Sequence, residues 1–336
     1  MQFKVALVGM DADSVPEWVV AALKQAGIAF VFRQCRTREE LAEVGGDADV
    51  IWVFGSHQSV YAENLDVLKR CGVILRTGSG TDNIPVAEAT KLGIIVANTP
   101  EAISDSVATH AIGLLFAVTR QIAIQDRLTR QGKWNRDLAW PNYHFRGQTL
   151  GLIGFGHIAR LVAHKMSGFD MQIICYDPFI DAEIMAEYNV KPSDLDDLLS
   201  QSDFISIHCP LLPSTHHLIN ERALRLMKPT AVLINTSRGP VVDEPALIRA
   251  LSEKWIAAAG LDVFEQEPIN ADSRLLTLDN VVVTPHIAGY SDEFWDNFWK
   301  YSVETAIDLS QGRWPRSYVN HDVQPRWTHL RAAATT

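Results

Sequence analysis

The sequence has few cysteines and no long run of apolar residues. Four cysteines in 336 residues are scattered without paired spacing, which indicates neither a zinc site nor a disulfide framework and fits a reducing compartment. No run approaches the roughly 18–20 apolar residues that a membrane span requires. Asp11 soon interrupts the apolar N-terminus, as is typical of a first buried strand rather than of a signal peptide. We therefore expect a soluble, cytoplasmic protein without a metal site.

The sequence also lacks an excess of basic residues. It contains 30 Lys plus Arg against 40 Asp plus Glu, which gives a formal net charge of −10. An acidic surface repels phosphate backbones and anionic lipids, so we expect neither nucleic acid nor a membrane as a partner. Hydrophobic residues make up 47% of the chain and charged residues 21%, a composition typical of a globular protein.

Short apolar runs alternate with helical patterns along most of the chain. This alternation predicts an α/β fold in which helices cover both faces of parallel sheets. A chain of 336 residues exceeds one ordinary core, so we expect two doubly wound, Rossmann-like domains. The predicted strands are Phe3–Val8, Val50–Phe54, Val73–Leu75, Ile94–Val96, Thr149–Ile153, Met171–Tyr176, Phe204–His208, Ala231–Ile234, Ala257–Leu261 and Val281–Thr284.

Two amphipathic helices are natural crossings between these domains. One follows Pro100 and has Val107, Leu114 and Val118 on its apolar stripe, and the other covers about residues 292–309. We therefore predict a discontinuous domain of residues 1–100 and 291–320 and an inserted domain of residues 101–290. Residues 321–336 show little apolar periodicity and are predicted to form a C-terminal tail, an appendage to the domains.

A glycine-rich turn follows the predicted strand Thr149–Ile153 and precedes a helical pattern. Gly154 permits a tight turn, and Gly156 lets the backbone approach a pyrophosphate because it has no Cβ. Ala159 is small enough for close packing of the helix on the sheet. The amides of His157 and Ile158 open that helix, whose positive end attracts phosphate groups. The pattern predicts a dinucleotide site.

Asp177 makes that prediction more specific. It ends the next predicted strand, 23 residues after Gly154, where an acid accepts hydrogen bonds from the adenosine ribose and repels a 2′-phosphate. The residues that follow are Pro178 and Phe179, not arginine. We therefore predict NAD as the cofactor, with NADP disfavoured. The inserted domain is then the NAD-binding domain, and the discontinuous domain is the substrate (catalytic) domain.

Three side chains of complementary chemistry follow the last three predicted strands. A dehydrogenase that acts on a 2-keto acid needs a cation, an acid/base and a group that favours the protonated acid. Ligands of doubly wound sheets bind beyond the carboxyl ends of the strands. We therefore predict that Arg238 holds and polarises the substrate, that His286 exchanges the proton, and that Glu267 favours the imidazolium form of His286.

Each of these residues also has an ordinary structural explanation. An arginine before Gly-Pro is often a turn residue, a glutamate before proline often ends a helix, and a single histidine after proline is often structural. The combination of the three carries the hypothesis. His157 and His208 are expected to border the cofactor, whereas the remaining histidines that we considered lie in stretches without matching partners: His110, His164, His216, His217 and His329.

At these residues the chain resembles the D-isomer-specific 2-hydroxyacid dehydrogenase family, over about residues 1–320. The segments that carry the resemblance are Thr77–Ile84, Asn98–Pro100, Leu152–Gly156, His208–Thr215, Asn235–Gly239, Leu261–Phe264, Glu267–Pro268 and Thr284–His286. The sequence departs from the family at Thr109, where glutamate is frequent, and at Ala159, where a third glycine is frequent. Glu267 argues against the formate dehydrogenases of the superfamily, which carry glutamine beside the histidine.

The resemblance implies roles for further residues. Arg238, Glu267 and His286 would be catalytic, with Arg238 and His286 also binding the substrate. Backbone amides of Gly78, Ser79 and Gly80 would bind the substrate carboxylate. Besides the glycine turn and Asp177, the implied cofactor-binding residues are Thr109, Pro210, Thr215, Thr236, Ser237, Asp262, Ala288 and Gly289.

The resemblance further implies D stereochemistry and a homodimer. The aromatic residues Trp134, Trp140, Tyr143 and Phe145 could form the dimer interface, although a packed loop explains them more simply. Arg76, Trp134, Trp295 and Trp299 could shape a substrate pocket, and core packing or solvent exposure explains each equally well.

The sequence favours an NAD-dependent oxidoreductase that transfers a hydride to or from C2 of a small D-2-hydroxy or 2-keto acid. Glyoxylate and hydroxypyruvate are the favoured type, and longer aliphatic or aromatic keto acids and sugar-acid derivatives stay open. The alternative is a non-catalytic, NAD-sensing binding protein, since corepressors of the superfamily keep the same three residues. A hydrolase with tightly held NAD is a weaker alternative, because the position of the three residues argues against it.

Overall fold

The computed structural model describes residues 2–134, 136 and 142–328. Its strands, in chain order, are β1 (Lys4–Leu7), β2 (Ala29–Phe32), β3 (Val50–Val53), β4 (Val73–Arg76), β5 (Ile95–Asn98), β6 (Thr149–Ile153), β7 (Gln172–Tyr176), β8 (Lys191–Pro192), β9 (Phe204–Ile207), β10 (Val232–Asn235), β11 (Ala258–Leu261) and β12 (Val281–Val283).

The α-helices alternate with these strands. They are α1 (Glu17–Gln25), α2 (Arg38–Gly45), α3 (Val86–Lys91), α4 (Ser104–Thr119), α5 (Ile122–Arg130), α6 (His157–Met166), α7 (Ala182–Ala186), α8 (Leu195–Gln201), α9 (Glu221–Leu226), α10 (Glu244–Ser252) and α11 (Phe294–Ser310). Short 3-10 helices lie at Ala12–Ser14, Ala62–Val67, Pro100–Ala102, Ser167–Phe169, Gly239–Val241, Arg274–Thr277.

The chain divides into two compact units. One, which we call the outer unit, comprises Met1–Ile103 and Ser291–Thr336, and the other, the inserted unit, comprises Ser104–Tyr290. Each unit has its own sheet with hydrophobic clusters on both faces. Both sheets are parallel throughout, which confirms the predicted α/β, doubly wound class.

The outer unit has strand order β2-β1-β3-β4-β5. Strands β3, β4 and β5 are buried along their whole length because helices or loops cover both faces of the sheet. The N-terminus of α2 is stabilised by a capping box, in which Thr37 and Glu40 satisfy each other's backbone amides.

The inserted unit has strand order β12-β11-β10-β9-β6-β7-β8. Counted from β6, this is the Rossmann order with one further strand, and the order reverses between β6 and β9. Helix α4 packs on β10 and β11 through the stripe that the sequence predicted, including Val107, Leu114 and Val118. Ligands of such sheets bind at the carboxyl ends near the reversal.

Two strands and helix α5 were not predicted. Strand β2 is only partly buried along its length and β8 has two exposed residues, so neither has a strong apolar pattern. The apolar stripe predicted after Pro100 lies in α4, and α5 begins after Gln121, which has a left-handed backbone with φ of 53°.

The segment after Asn320, predicted to be an appendage, instead packs on the outer unit as far as it is described. Val323 is buried, the amide of Arg326 donates to the carbonyl of Gly93, and the ring of Trp327 lies 5.7 Å from that of Phe3. Residues 329–336, including His329, lie outside the described residues.

Among the described residues, no single helix is long and apolar enough to cross a membrane. Helices α4 and α5 reach the length and apolar composition of a membrane span only when they are counted together, and they are bent by 60° relative to each other.

Candidate active site

The carboxyl ends of six parallel strands meet at one edge of the inserted unit. The residues predicted to act on cofactor and substrate in this unit lie along that edge, apart from Thr109 on α4. In the order β7, β6, β9, β10, β11, β12, the strand ends carry Asp177, Gly154, His208, Arg238, Glu267 and His286.

The glycine turn has the geometry of a dinucleotide loop. Gly154 has a φ of 91°, and a Cβ there would lie 2.7 Å from the backbone nitrogen of Cys209, so other residues are excluded by strain and by contact. A Cβ on Gly156 would meet nothing within 4 Å, which leaves open space above the N-terminus of α6. Gly156 and His157 are exposed there, and Ala159 is buried against the sheet.

Asp177 ties the end of β7 to the glycine turn. Its Oδ2 accepts the amide of Phe155 at 2.8 Å, and its Oδ1 accepts the amide of Phe179 at 2.9 Å. A carboxylate offers about four lone-pair sites, so each oxygen keeps acceptor capacity for a ribose hydroxyl. The side chain is half-buried and accessible to a ligand.

Two buried polar atoms at this edge have no protein partner within the described residues. They are Nε2 of His208 and Oγ1 of Thr236. Burial lowers the pKa of His208 to about 4, so its ring is neutral near neutral pH and can serve as donor or acceptor. Orphaned polar atoms, an open glycine turn and an acceptor carboxylate together fit a nicotinamide dinucleotide.

Arg238 lies on the short turn after β10. The amide of Ser237 donates to the side-chain oxygen of Asn235 at 3.0 Å, and the Asn235 side chain donates to the carbonyl of Arg238 at 3.0 Å. A Cβ on Gly239 would lie 1.9 Å from the carbonyl carbon and oxygen of Phe264. Only glycine therefore allows the Arg238 turn to lie directly against the loop after β11.

Glu267 and His286 form a hydrogen-bonded pair across the ends of β11 and β12. Nδ1 of His286 lies 2.6 Å from Oε2 of Glu267, and Oε1 of Glu267 accepts the amide of Phe264 at 3.0 Å. The imidazole is 47% exposed and the glutamate side chain 34% exposed. The pair is thus reachable from solvent while both carboxylate oxygens are engaged.

The electrostatic surroundings keep Glu267 ionised. Partial burial acts to raise its pKa, but hydrogen bonds from His286 and the Phe264 amide, with the charges of His286 and Arg238, outweigh it and hold the pKa below the ordinary value. An ionised Glu267 accepts from Nδ1 of His286, which leaves Nε2 as the ring nitrogen that can exchange a proton.

A buried carboxylate supports the turn that carries His286. His286 has a φ of 54°, a left-handed conformation that is uncommon for a residue other than glycine. Asp262 is fully buried, and its two oxygens accept the amides of Ile287 and Ala288 and the hydroxyl of Thr284. Both side-chain oxygens of Asp262 are therefore engaged within the protein, where they stabilise the His286 turn.

Two histidines that the sequence analysis left without partners do have them. Nε2 of His110, on α4, lies 2.9 Å from Oγ1 of Thr284 and 3.6 Å from Oδ1 of Asp262. Nε2 of His217 bonds to Oε1 of Glu265. These contacts join residues far apart in sequence, so no local pattern could have indicated them.

The other predicted cofactor residues differ in accessibility. The hydroxyl of Thr215 donates to the carbonyl of Pro210 at 2.6 Å, and that of Ser237 donates to the carbonyl of Cys209, so both are engaged within the protein. Ala288 is buried. Thr215 and Ser237 are partly exposed, and the further partly or largely exposed positions are Thr109, His157, Ile158, Pro210 and Gly289.

The outer unit holds the three residues predicted to bind a carboxylate, after β4. The amide of Gly78, whose φ is 102°, already donates to Oγ1 of Thr99 at 2.8 Å. Among the described residues, the amides of Ser79 and Gly80 have no acceptor. These two amides, rather than all three, are available to an anion.

The aromatic residues singled out from the sequence have separate environments. Trp299 is 3% exposed and belongs to the core of the outer unit, whereas Trp295 is 59% exposed and stacks on Phe54. Tyr143 and Phe145 pack against the core of the inserted unit, and Trp134 is 83% exposed. Arg76 is 7% exposed. Trp140 lies outside the described residues.

Comparisons with known proteins point to one family. The family model described as "D-isomer specific 2-hydroxyacid dehydrogenase, NAD binding domain" matches residues 112–288. The chain is 43% identical over 295 residues to a glyoxylate reductase of Thermococcus litoralis, which covers 85% of this chain and 86% of that protein.

Two solved structures are similar to the whole chain. One is D-lactate dehydrogenase from Aquifex aeolicus complexed with NAD and lactic acid, at 30% identity and a TM-score of 0.79, covering 94% of this chain and 98% of that chain. The other is an acyclic imino acid reductase in complex with NADPH and D-Arg, at 29% identity and a TM-score of 0.82, covering 94% of this chain and 100% of that chain.

Proposed function

Because the chain belongs to the family of D-isomer-specific 2-hydroxyacid dehydrogenases, we propose that it is an NAD-dependent enzyme that interconverts a small D-2-hydroxy acid and the corresponding 2-keto acid. The observation that carries the proposal is the 2.6 Å pair of His286 and Glu267 beside Arg238, at the strand edge that also carries the dinucleotide turn. This is a cation, an acid/base and its carboxylate partner at one edge.

The protein's own residues supply the polar half of the chemistry. A nicotinamide held at the dinucleotide turn would supply the hydride exchange at C2, which is chemistry that no side chain of the protein provides. In the reductive direction, Nε2 of His286 donates its proton to the carbonyl oxygen of the keto acid as that oxygen becomes a hydroxyl. In the oxidative direction the same nitrogen takes the hydroxyl proton.

Glu267 and Arg238 prepare His286 and the substrate for that proton transfer. Ionised Glu267 orients the imidazole through its hydrogen bond with Nδ1, so that Nε2 faces away from the carboxylate. The guanidinium of Arg238 offers a planar set of donors that suits a carboxylate or a ketone oxygen.

We assign NAD rather than NADP from the surroundings of Asp177. Its two oxygens each accept one backbone amide and keep capacity for the ribose hydroxyls, whereas a 2′-phosphate there would meet a second negative charge. The neighbour Phe179 is 83% exposed and carries no charge that could offset this repulsion. An Asp177→Ser variant is expected to narrow the preference for NADH over NADPH.

We assign the substrate to the glyoxylate and hydroxypyruvate type. The support is the likeness to a glyoxylate reductase at 43% identity over most of both chains.

The proposal is tested with purified protein, a panel of 2-keto acids and either NADH or NADPH, followed at the nicotinamide absorbance. His286→Ala is expected to lower kcat for glyoxylate reduction by about 10²–10⁴-fold while NADH still binds, because it removes the acid/base group. Arg238→Gln is expected to weaken mainly the binding and polarisation of the keto acid, and to leave NADH binding unchanged. His164→Ala, at an exposed position on α6, is the matched control. NADH binding with no turnover of any acid would favour a non-catalytic NAD sensor.

A further inference from the structure

The loop of residues 263–267 carries two glutamates, and each bonds to a histidine from a different part of the chain. Glu267 pairs with His286, and two residues earlier Glu265 pairs with Nε2 of His217. We infer that His217 is a positioning residue, which holds this loop so that Glu267 stays in register with His286. The inference rests on the proposed function, since it assigns a purpose to the same pair.

His217 reaches the two loops that carry the proposed catalytic residues. Its amide donates to the carbonyl of Pro240 at 2.8 Å, two residues after Arg238. Its imidazole bonds to Glu265, two residues before Glu267. One residue therefore connects the loop after β10 to the loop after β11.

The conformation of His217 is itself restrained. Its φ is 50°, in the left-handed region, and Ile219 continues the contact through a hydrogen bond to the carbonyl of Val241 at 3.0 Å. A backbone held in that region fixes the direction in which the His217 side chain leaves the chain, toward Glu265. The neighbouring ring of His216 stacks on His217 at 4.0 Å.

Glu265 is held from the other side as well. Its amide donates to Oε2 of Glu244 at 3.1 Å, and Gly239 lies directly against its backbone. Burial raises the pKa of Glu244, and the charge of Glu265 acts in the same direction against the hydrogen bond from the Glu265 amide. Among the described residues, the titratable groups seen in contact with the pair are Glu244 and His216.

The pair affects geometry more than stability. The His217 and Glu265 side chains are 36% and 28% exposed, and a pair so open to solvent adds little to the free energy of folding. A displacement of about 1 Å in a catalytic group can lower the rate by about 10²-fold. Loss of the pair should therefore appear in catalysis before it appears in unfolding.

The test compares His217→Gln with His216→Gln, the adjacent histidine that does not bond to Glu265. His217→Gln is expected to lower kcat for glyoxylate reduction by roughly tenfold, with less change in KM and unchanged NADH affinity, because loop geometry and not binding is altered. Its pH–rate profile should also shift, since Glu267 no longer holds His286 in one orientation. His216→Gln should keep both kcat and profile.

A second measurement does not depend on turnover. Long-range proton–nitrogen spectra of histidine-labelled protein report which ring nitrogen of His286 carries the proton, and His217→Gln should change the His286 nitrogen shifts while His216→Gln should not. Glu265→Gln, an isosteric change that replaces the carboxylate partner of His217 by a neutral amide, should reproduce the effect and carries the test if His217→Gln fails to fold.

The outcomes separate the two proposals. A protein that binds NADH but reduces no 2-keto acid contradicts the proposed function, and the spectra then still decide the role of His217. Unchanged His286 shifts and unchanged kcat in both His217→Gln and Glu265→Gln would overturn the inference. Equal effects of His216→Gln and His217→Gln would do the same, because they would indicate a general disturbance of the loop.

Discussion

Position 239 leaves no room for a side chain, and this constrains the turn that carries the preceding residue, Arg238. A Cβ on Gly239 would lie 1.9 Å from the backbone of Phe264, so the turn that carries Arg238 would have to move away from the loop that carries Glu267. Gly239→Ala is therefore expected to destabilise the protein by about 1–3 kcal/mol, as overpacking does. It is also expected to lower kcat by more than tenfold.

Gly168→Ala is the matched control for that substitution, because a Cβ there meets nothing within 4 Å. Urea unfolding and steady-state kinetics on both variants decide the matter. If Gly239→Ala retained wild-type kcat, the close contact between the two loops would have no bearing on the site.

His208 gives a pH-dependent prediction. Burial lowers its pKa from 6.5 to about 4, so the native state keeps the ring neutral while the unfolded chain protonates it. Above pH 6.5 the ring is neutral in both states and the free energy of unfolding keeps its full value. As the pH falls from 6.5 toward 4, the unfolded chain binds a proton that the native state does not, and the free energy of unfolding decreases. At pH near 4.5 the loss attributable to this residue is about 2–3 kcal/mol.

His208→Gln should remove the pH-dependent contribution of this imidazole, so that the free energy of unfolding depends less steeply on pH. The measurement is urea unfolding of the full chain at pH values between about 4.5 and 7.5, the range over which an ordinary histidine of pKa near 6.5 titrates. His164→Gln, an exposed position, should keep the wild-type slope. Parallel curves for wild type and His208→Gln would contradict the prediction.

Local sequence identifies some residues of the site and not others. Gly154, Asp177, Arg238, Glu267 and His286 follow apolar runs, and the carboxyl ends of parallel strands meet at one edge, so their proximity could be expected. His217 follows no strand, and its partner Glu265 lies 48 residues away. That contact depends on how two loops pack, which no periodicity encodes.

At the scale of elements, the turn 284–288 depends on one buried carboxylate. Asp262 accepts two amides and a hydroxyl from this turn and keeps His286 in its left-handed conformation. Asp262→Asn replaces one acceptor oxygen by a donor that faces an amide or the hydroxyl. The expected cost is about 1–3 kcal/mol for a buried group left unsatisfied, with a marked fall in kcat.

Asp272→Asn is the control, since Asp272 is exposed on the loop that follows Glu267. Denaturation and glyoxylate turnover would be compared in the two variants. Wild-type kcat in Asp262→Asn would mean that the turn holds His286 without the carboxylate.

Strands were predictable from the sequence where both faces of the sheet are buried. Strands β3, β4, β9 and β10 are buried throughout and stand out as apolar runs. The edge strand β2 has partly buried residues throughout and no such run. The break between α4 and α5 depends on the backbone of Gln121, a residue type that does not usually signal a left-handed position.

At the scale of the molecule, the two sheets have different strand orders, and within the part of the chain that the structure describes the dinucleotide turn lies in the inserted unit. The family model also lies within this unit, at residues 112–288. Tyr143 and Phe145, which were considered for a dimer interface, pack against the core of their own unit. The homodimer expected from the family stays a prediction.

NADH should therefore stabilise the inserted unit more than the outer unit. A ligand that binds only the native state adds about 2.7 kcal/mol when its concentration is 100 times its Kd. Hydrogen exchange of the full chain at that concentration should slow mainly within Ser104–Tyr290, with the strongest protection near the glycine turn and Asp177. Asp177→Ala should need more NADH for the same protection, because it loses the acceptors for the ribose. Protection confined to the outer unit would contradict the assignment of the cofactor to the inserted unit, whatever acid the enzyme reduces.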